Sequence, residues 1–189
     1  MNWLSKEHLL LYIVLLIGIS ILFKTVHFPR SGVIALDIIE QKGVISQLDT
    51  PRQAASTHKV EVDTVDFEEG MILEHKNLGR LGYQNNFFID AVTQMNVNKA
   101  GEYLFFVSSD DGFRLKIDNK TVCEFPKDRP FGTTTCKTSL SKGAHRLKLS
   151  YFQAGGPMGL KAMYQYAKEY KKYFVGQNSG AARFEKAES

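Results

Sequence analysis

The chain has 189 residues, with 24 Lys and Arg against 20 Asp and Glu, and 43% of its residues are apolar. That length fits one ordinary domain with appendages. The composition excludes a wholly disordered chain, and two cysteines are too few for a disulfide-built scaffold. A net charge of +4 is small for this length, and no nucleic-acid partner is expected.

The first feature is the run from Leu9 to Phe23, LLLYIVLLIGISILF, which carries no charge. As a helix it would span roughly 22 Å, short of the about 20 residues a bilayer core asks for unless Trp3 and Phe28 extend it at the interfaces. A cleaved signal peptide would need small residues after the run, and Lys24-Thr25-Val26-His27-Phe28 offers none. A buried core helix is the bland alternative, but this run is apolar on every face and sits at the terminus. The expectation is one uncleaved N-terminal transmembrane helix, a membrane anchor over residues 1–28. Lys6 precedes the run while Lys24 and Arg30 follow it, so the charge count does not favour an external carboxyl side.

Residues 31–48 are mixed and fit neither the helical nor the strand period, so helix and strand stay open. Residues 49–59 (DTPRQAASTHK) are polar and read as a linker. Together they make a connector over residues 29–59. From Val60 onward short strand-like runs alternate with Gly, Asn and Asp at about ten-residue spacing, the pattern of a mainly β chain folded as an antiparallel sandwich or barrel. Residues 93–98 and 102–107 are two such runs. Phe113, Leu115 and Ile117 alternate with polar residues, and Asn119-Lys120 reads as a hairpin tip before residues 121–125. His145, Leu147, Leu149 and Tyr151 form another strand, and Leu160, Ala162, Tyr164 and Tyr166 a last one. Tyr166, Tyr170, Tyr173 and Phe174 fall at helical spacing and predict a helix packed on the sandwich. The sandwich is expected over residues 60–168, with a basic, loose tail over 169–189. From Ser31 onward 21 basic residues face 19 acidic ones, so that portion is nearly neutral.

Between Ala100 and Tyr164 an ordered set of motifs resembles the PA-14 domain, the β-sandwich family named after anthrax protective antigen. Ala100-Gly101-Glu102-Tyr103-Leu104-Phe105 is similar to the family's Gly-x-Tyr-x-Phe strand. Ser109-Asp110-Asp111-Gly112-Phe113-Arg114-Leu115 is similar to its Ser-Asp-Asp-Gly turn, and Ile117-Asp118-Asn119 to the hairpin that follows. Leu140-Ser141-Lys142-Gly143-Ala144-His145 resembles Leu-x-x-Gly-x-His, and residues 149–160 the closing strand and Gly-rich loop. Gly112 and Gly143 stand where strands must reverse, and Gly tolerates positive φ there.

The resemblance implies a role for Asp110-Asp111. In lectin-type members this pair is joined by a cis peptide and holds calcium. Calcium takes 6–8 oxygens, so the loop at residues 153–157 would have to add the Gln153 side-chain oxygen and the carbonyls of Gly155 and Gly156. The bland alternative is a solvated Asp-Asp-Gly turn. Cys123 and Cys136 fall on what should be neighbouring strands. A disulfide there would imply an oxidising compartment and contribute about 3 kcal/mol in the chain-entropy model; two reduced thiols are the alternative. Neither belongs to a Cys-x-x-Cys pair, so zinc is not expected. His145 reads as packing or a hydrogen bond rather than catalysis, and no phosphate loop is present.

The expected function is a non-enzymatic, membrane-anchored binding module in the periplasm or cell exterior, holding a carbohydrate or glycan through calcium. The competing readings are a structural or protein-interaction subunit of a cell-envelope complex, and the accessory domain of a glycosidase carried on another polypeptide.

Overall fold

The computed structural model describes residues 32–187 and, outside them, Tyr12. The expected anchor, Leu9 to Phe23, otherwise lies outside the described residues. Among the described residues no helix is long and apolar enough to cross a membrane.

Residues 32–187 form antiparallel strands arranged in two sheets. The first sheet holds β1 (Ile34–Gln41), β2 (Ala54–Val62), β6 (Phe87–Val97), β8 (Phe113–Ile117), β9 (Lys120–Phe125) and β11 (Gly143–Gln153), ordered β2-β1-β6-β11-β8-β9. The second holds β3 (Asp66–Gly70), β4 (Glu74–His75), β5 (Gly79–Arg80), β7 (Gly101–Asp110), β10 (Gly132–Leu140) and β12 (Met158–Tyr166), ordered β10-β7-β12-β3-β4-β5. Two short strands finish them: β13 (Tyr173–Phe174) pairs β12, and β14 (Ala182–Glu185) pairs the half of β6 that β1 leaves free.

The alternating side chains predicted on β7, β8, β11 and β12 point inward in both sheets. Tyr103, Phe105, Val107, Phe113, Leu115, Leu147, Leu149, Leu160, Ala162 and Tyr164 are buried in one core. Such a two-sided core is the usual solution for sheets with one apolar face each. A second, smaller cluster lies outside the first sheet, where Ile45 and Leu48 of the β1–β2 connection cover Phe88 and Phe152. It explains why Phe87 to Ala91 are buried on both faces.

Four expectations are corrected. Of the connector over 29–59, the described residues 32–59 are part of the sandwich: Ile34, Leu36 and Ile38 alternate into the core, and β2 continues the sheet over the segment read as a linker. Its polar composition reflects an edge strand, with one row of backbone groups facing water. No helix spans 166–174; Tyr166 ends β12, a turn follows through the bond from the Glu169 N–H to the Tyr166 carbonyl (2.8 Å), and Tyr173 returns to stack on Tyr164. The helical spacing arose because Tyr166 packs on Tyr103 and Tyr173 on Tyr164, two separate contacts, while Tyr170 is fully exposed. The tail is not loose either: Ala182 and Phe184 are buried, so the sandwich runs to Glu185. Finally, the hairpin tip is Asp118-Asn119, both at positive φ (50° and 65°), one residue earlier than expected. This is the turn chemistry that two-residue hairpins favour.

Cys123 and Cys136 form a disulfide, with Cα atoms 5.8 Å apart. It links β9, at the edge of the first sheet, to β10, at the edge of the second.

Candidate functional site

At the end of β7 the chain crosses from one sheet to the other in three residues, Asp110, Asp111 and Gly112. The Asp110-Asp111 peptide bond is cis. Gly112 is required, but not for the reason the sequence suggested. Its φ is not positive; instead a Cβ there would lie 2.5 Å from the Phe125 carbonyl oxygen, 2.6 Å from the Phe152 ring and 2.7 Å from the Lys127 carbonyl oxygen. Gly143, by contrast, does sit at positive φ (122°).

Buried hydrogen bonds hold the crossing in place. The Ser109 hydroxyl donates to the Asp111 carbonyl (2.6 Å), and the Ala154 N–H donates to Asp111 Oδ2 (2.7 Å). The Tyr151 hydroxyl, fully buried, reaches both the Asp110 carbonyl and Gln153 Oε1, the latter at 2.6 Å. The Gln153 amide donates to the carbonyls of Pro157 (3.1 Å) and Gly156 (3.4 Å). Gln153 is therefore a brace for residues 153–157, its oxygen already accepting from Tyr151. The Gly156 carbonyl accepts from Gln153, and Gly155 lies against Asn85.

The structure adds a residue that the sequence reading missed. Asp128, in the loop between β9 and β10, hydrogen-bonds with Asp111 and faces Asp110. It lies within the segment closed by Cys123 and Cys136, and only the fold brings it to the aspartate pair.

The electrostatics of this cluster are unfavourable to charge. Burial raises the Asp110 carboxyl above its usual range, and Asp128 and Glu69 push it further. Burial, the bond with Asp128 and the Asp128 and Asp110 charges push Asp111 up to about 7. A carboxyl so placed favours its neutral form unless a cation compensates it. Arg129 is near, but its guanidinium donates to the Thr134 hydroxyl (2.9 Å), the Ser109 hydroxyl (2.9 Å) and the Gly132 carbonyl (2.8 Å). It lies over the Phe113 and Phe125 rings, and burial lowers its pKa. Among the described residues no basic side chain forms an ion pair with Asp110, Asp111 or Asp128. Neither is any group of three or more His, Cys, Asp or Glu side chains arranged as a ready metal-holding set among them. Carboxylate oxygens are the donors that a hard cation such as calcium takes, and Asp110 and Asp111 are the adjacent carboxylates here.

His145 serves the fold. Its Nδ1 bonds Asp118 Oδ2 (2.6 Å) and its Nε2 meets the Ser141 carbonyl (2.9 Å) more closely than the Ser141 hydroxyl (3.4 Å). The imidazole thereby closes the hairpin ends rather than activating Ser141 as a nucleophile.

Two antiparallel sheets over one core, with an Asp-Asp cis peptide crossing between them at one end, define a sandwich of the PA14 type. The PA14 domain matches residues 77–173. The chain belongs to the PA14 domain family. A comparison with curated proteins returned no match. Among solved structures it is similar to a PA14 sugar-binding domain from an RTX adhesin (17% identity, TM-score 0.61, covering 77% of this chain and 95% of that one). It is similar also to the PA14 domain of the antifreeze protein MpAFP (14% identity, TM-score 0.62, covering 85% and 95%). A third is the epithelial adhesin 9 A domain from Candida glabrata in complex with Galb1-4GlcNAc (10% identity, TM-score 0.56, covering 84% and 97%). At these identities the likeness is one of fold.

Proposed function

We propose that this chain is a non-enzymatic carbohydrate-binding module, tethered to a membrane by its apolar amino-terminal run and facing the periplasm or cell exterior, that holds its sugar through calcium at Asp110 and Asp111. Membership of the PA14 family supports sugar binding, together with the adhesin neighbours described as sugar-binding or solved with a galactoside. The observation that carries the calcium reading is the set of mutually repelling Asp110, Asp111 and Asp128 charges at a loop end where, among the described residues, no basic side chain forms an ion pair with them and Arg129, whose charge interacts with Asp110, spends its donors on Thr134, Ser109 and Gly132. Calcium bound there would neutralise the carboxylates and offer open coordination positions to sugar hydroxyls. The chain's own part is positional: Tyr151 and Ser109 fix the Asp110 and Asp111 backbone, and Ala154 orients the Asp111 carboxylate. Gln153 keeps the neighbouring loop in shape, so Gly155 and Gly156 contribute backbone oxygens only if that loop turns them toward the ion. The run Leu9 to Phe23 supports the tether, and the Cys123–Cys136 disulfide supports an oxidising compartment.

Calorimetric titration of the full-length chain with calcium chloride tests this. The expected result is one ion per chain for the wild type and none for Asp110→Asn or Asp111→Asn. Absence of binding to the wild type would remove the calcium reading and favour a protein-interaction subunit of an envelope complex.

A further inference from the structure

A second cleft lies away from the aspartate pair, on the outer face of the first sheet. It has a volume of about 410 Å³ and is lined by the β1–β2 connection, β8, the Asp118-Asn119 turn and β11. That volume falls within the range of small-ligand sites, about 300–1,000 Å³.

Its charge arrangement is not that of an ordinary wet sheet face. Four cations line it: Arg52, Arg114, Lys116 and Lys148. Three carboxylates answer them. Asp90, buried beneath, takes both Arg52 nitrogens (2.7 and 3.0 Å), the Lys148 ammonium (3.0 Å) and the Ser150 hydroxyl (2.7 Å). Asp49 and Glu124 hold Arg114. Burial alone would raise the Asp90 carboxyl, but these donors outweigh it and bring it to about 2. One positive charge is left over.

The surplus lies at Lys116. It stands directly opposite Lys148 in the β8–β11 register. Like charges directly opposite across antiparallel strands cost stability. Among the described residues the Lys116 side chain forms no hydrogen bond or ion pair, and its charge acts on Asp49 from a distance. The Asn119 side chain, which also lines the cleft, is likewise without a hydrogen bond among the described residues. A pair of facing lysines, one already anchored by a buried carboxylate and the other without a partner, forms a two-sided clamp for an oxyanion. The neighbouring amide of Asn119 and hydroxyl of Ser150 suit a ligand that carries hydroxyl groups beside its anionic group.

We propose that this cleft is a second binding site, for an anionic saccharide bearing a carboxylate or sulfate group, gripped between Lys116 and Lys148. It does not use the aspartate pair and does not depend on calcium.

The test is the affinity of the full-length chain for dextran sulfate and for neutral dextran, at one fixed moderate salt concentration and with a calcium chelator present. Dextran sulfate binds and neutral dextran does not. Lys116→Gln, which breaks no hydrogen bond, weakens binding about fivefold or more, as expected for a charged hydrogen bond. Lys172→Gln, which removes the same charge from over the Phe106 ring on the outer face of the second sheet, changes affinity less than about twofold, as a screened distant charge should. Equal affinity of wild type and Lys116→Gln would overturn the proposal. So would equal losses in the two variants, or equal binding of duplex DNA at matched charge, since either marks a general attraction for polyanions. Because chelator is present throughout, failure here leaves the calcium site untouched, and failure there leaves this cleft standing.

Discussion

The sharpest consequence of the site geometry is an inverted pH dependence. Asp111 binds its proton more tightly in the folded chain than in the unfolded one, because burial, the Asp128 bond and the Asp128 and Asp110 charges disfavour its ionised form. Its contribution to stability is therefore full below its ordinary value of 3.8 and is lost as the pH rises through about 7. A displacement of that size corresponds to about 4 kcal/mol. Because Asp111 titrates together with its neighbouring carboxyls, that figure is an upper bound for Asp111 alone. For a domain of this size each 1 kcal/mol is about 3 °C in melting temperature. Three measurements by thermal unfolding of the full chain follow. Without calcium the wild type should melt several degrees lower at pH 8 than at pH 5, part of this group's contribution having gone already between pH 3.8 and pH 5. Asp111→Asn, which keeps an oxygen to accept from the Ala154 N–H, should remove the decline and be the more stable protein at pH 8. Calcium at a hundred times its Kd should raise the wild type by about 2.7 kcal/mol and leave the variant unchanged. A wild-type melting temperature flat between pH 5 and pH 8, or an Asp111→Asn variant less stable than wild type at pH 8 without calcium, would refute the reasoning.

Other outcomes can be read from the same structure. Gly112→Ala should cost about 3 kcal/mol or more in urea unfolding, because its Cβ meets two backbone oxygens that cannot move aside; a cost below about 1 kcal/mol would show that the crossing relaxes. Burial lowers the pKa of His145, but the bonds with Asp118 and Ser141 outweigh it, so the net direction is upward. That clamp is full below the ordinary imidazole value of 6.5 and is lost as the pH rises through the raised one. Asp118→Asn should thus cost about 1 kcal/mol at pH 6 and clearly less at pH 9, a modest figure because Asp118 is half exposed. Reduction of the Cys123–Cys136 bond should slow migration on a denaturing gel and lower stability by about 3 kcal/mol, as closing a loop of this length predicts.

Strands with strict alternation and a buried partner on each side were legible from sequence alone. Leu147, Leu149 and Tyr151 in β11 and Leu160, Ala162 and Tyr164 in β12 are the clearest cases. The edge strand β2 was not, since its Ala, Ser, Thr and Lys residues carry no alternation when both side-chain rows meet water. The strand β1 alternates in the structure, but its inner residues Ile34, Leu36 and Ile38 were masked by the adjacent Val33, which packs against the same core, and by Ile39, which packs against the outer cluster. The terminal strand β14 is only four residues long, too short to show a period. At the site, Asp110 and Asp111 stood out because adjacent carboxylates are unusual, whereas Asp128 reaches them only through the fold. Gln153 was chosen for its oxygen, and nothing in the sequence could reveal that the Tyr151 hydroxyl occupies it.

The central claim is calcium-dependent sugar binding at Asp110 and Asp111, and the most direct test is a calorimetric titration of the full-length chain with a β-galactoside before and after chelation. Saturable binding in calcium that disappears with chelator, and that is absent from Asp111→Asn in calcium, is the predicted result. Binding of the same strength with and without calcium, and in the variant, would contradict it.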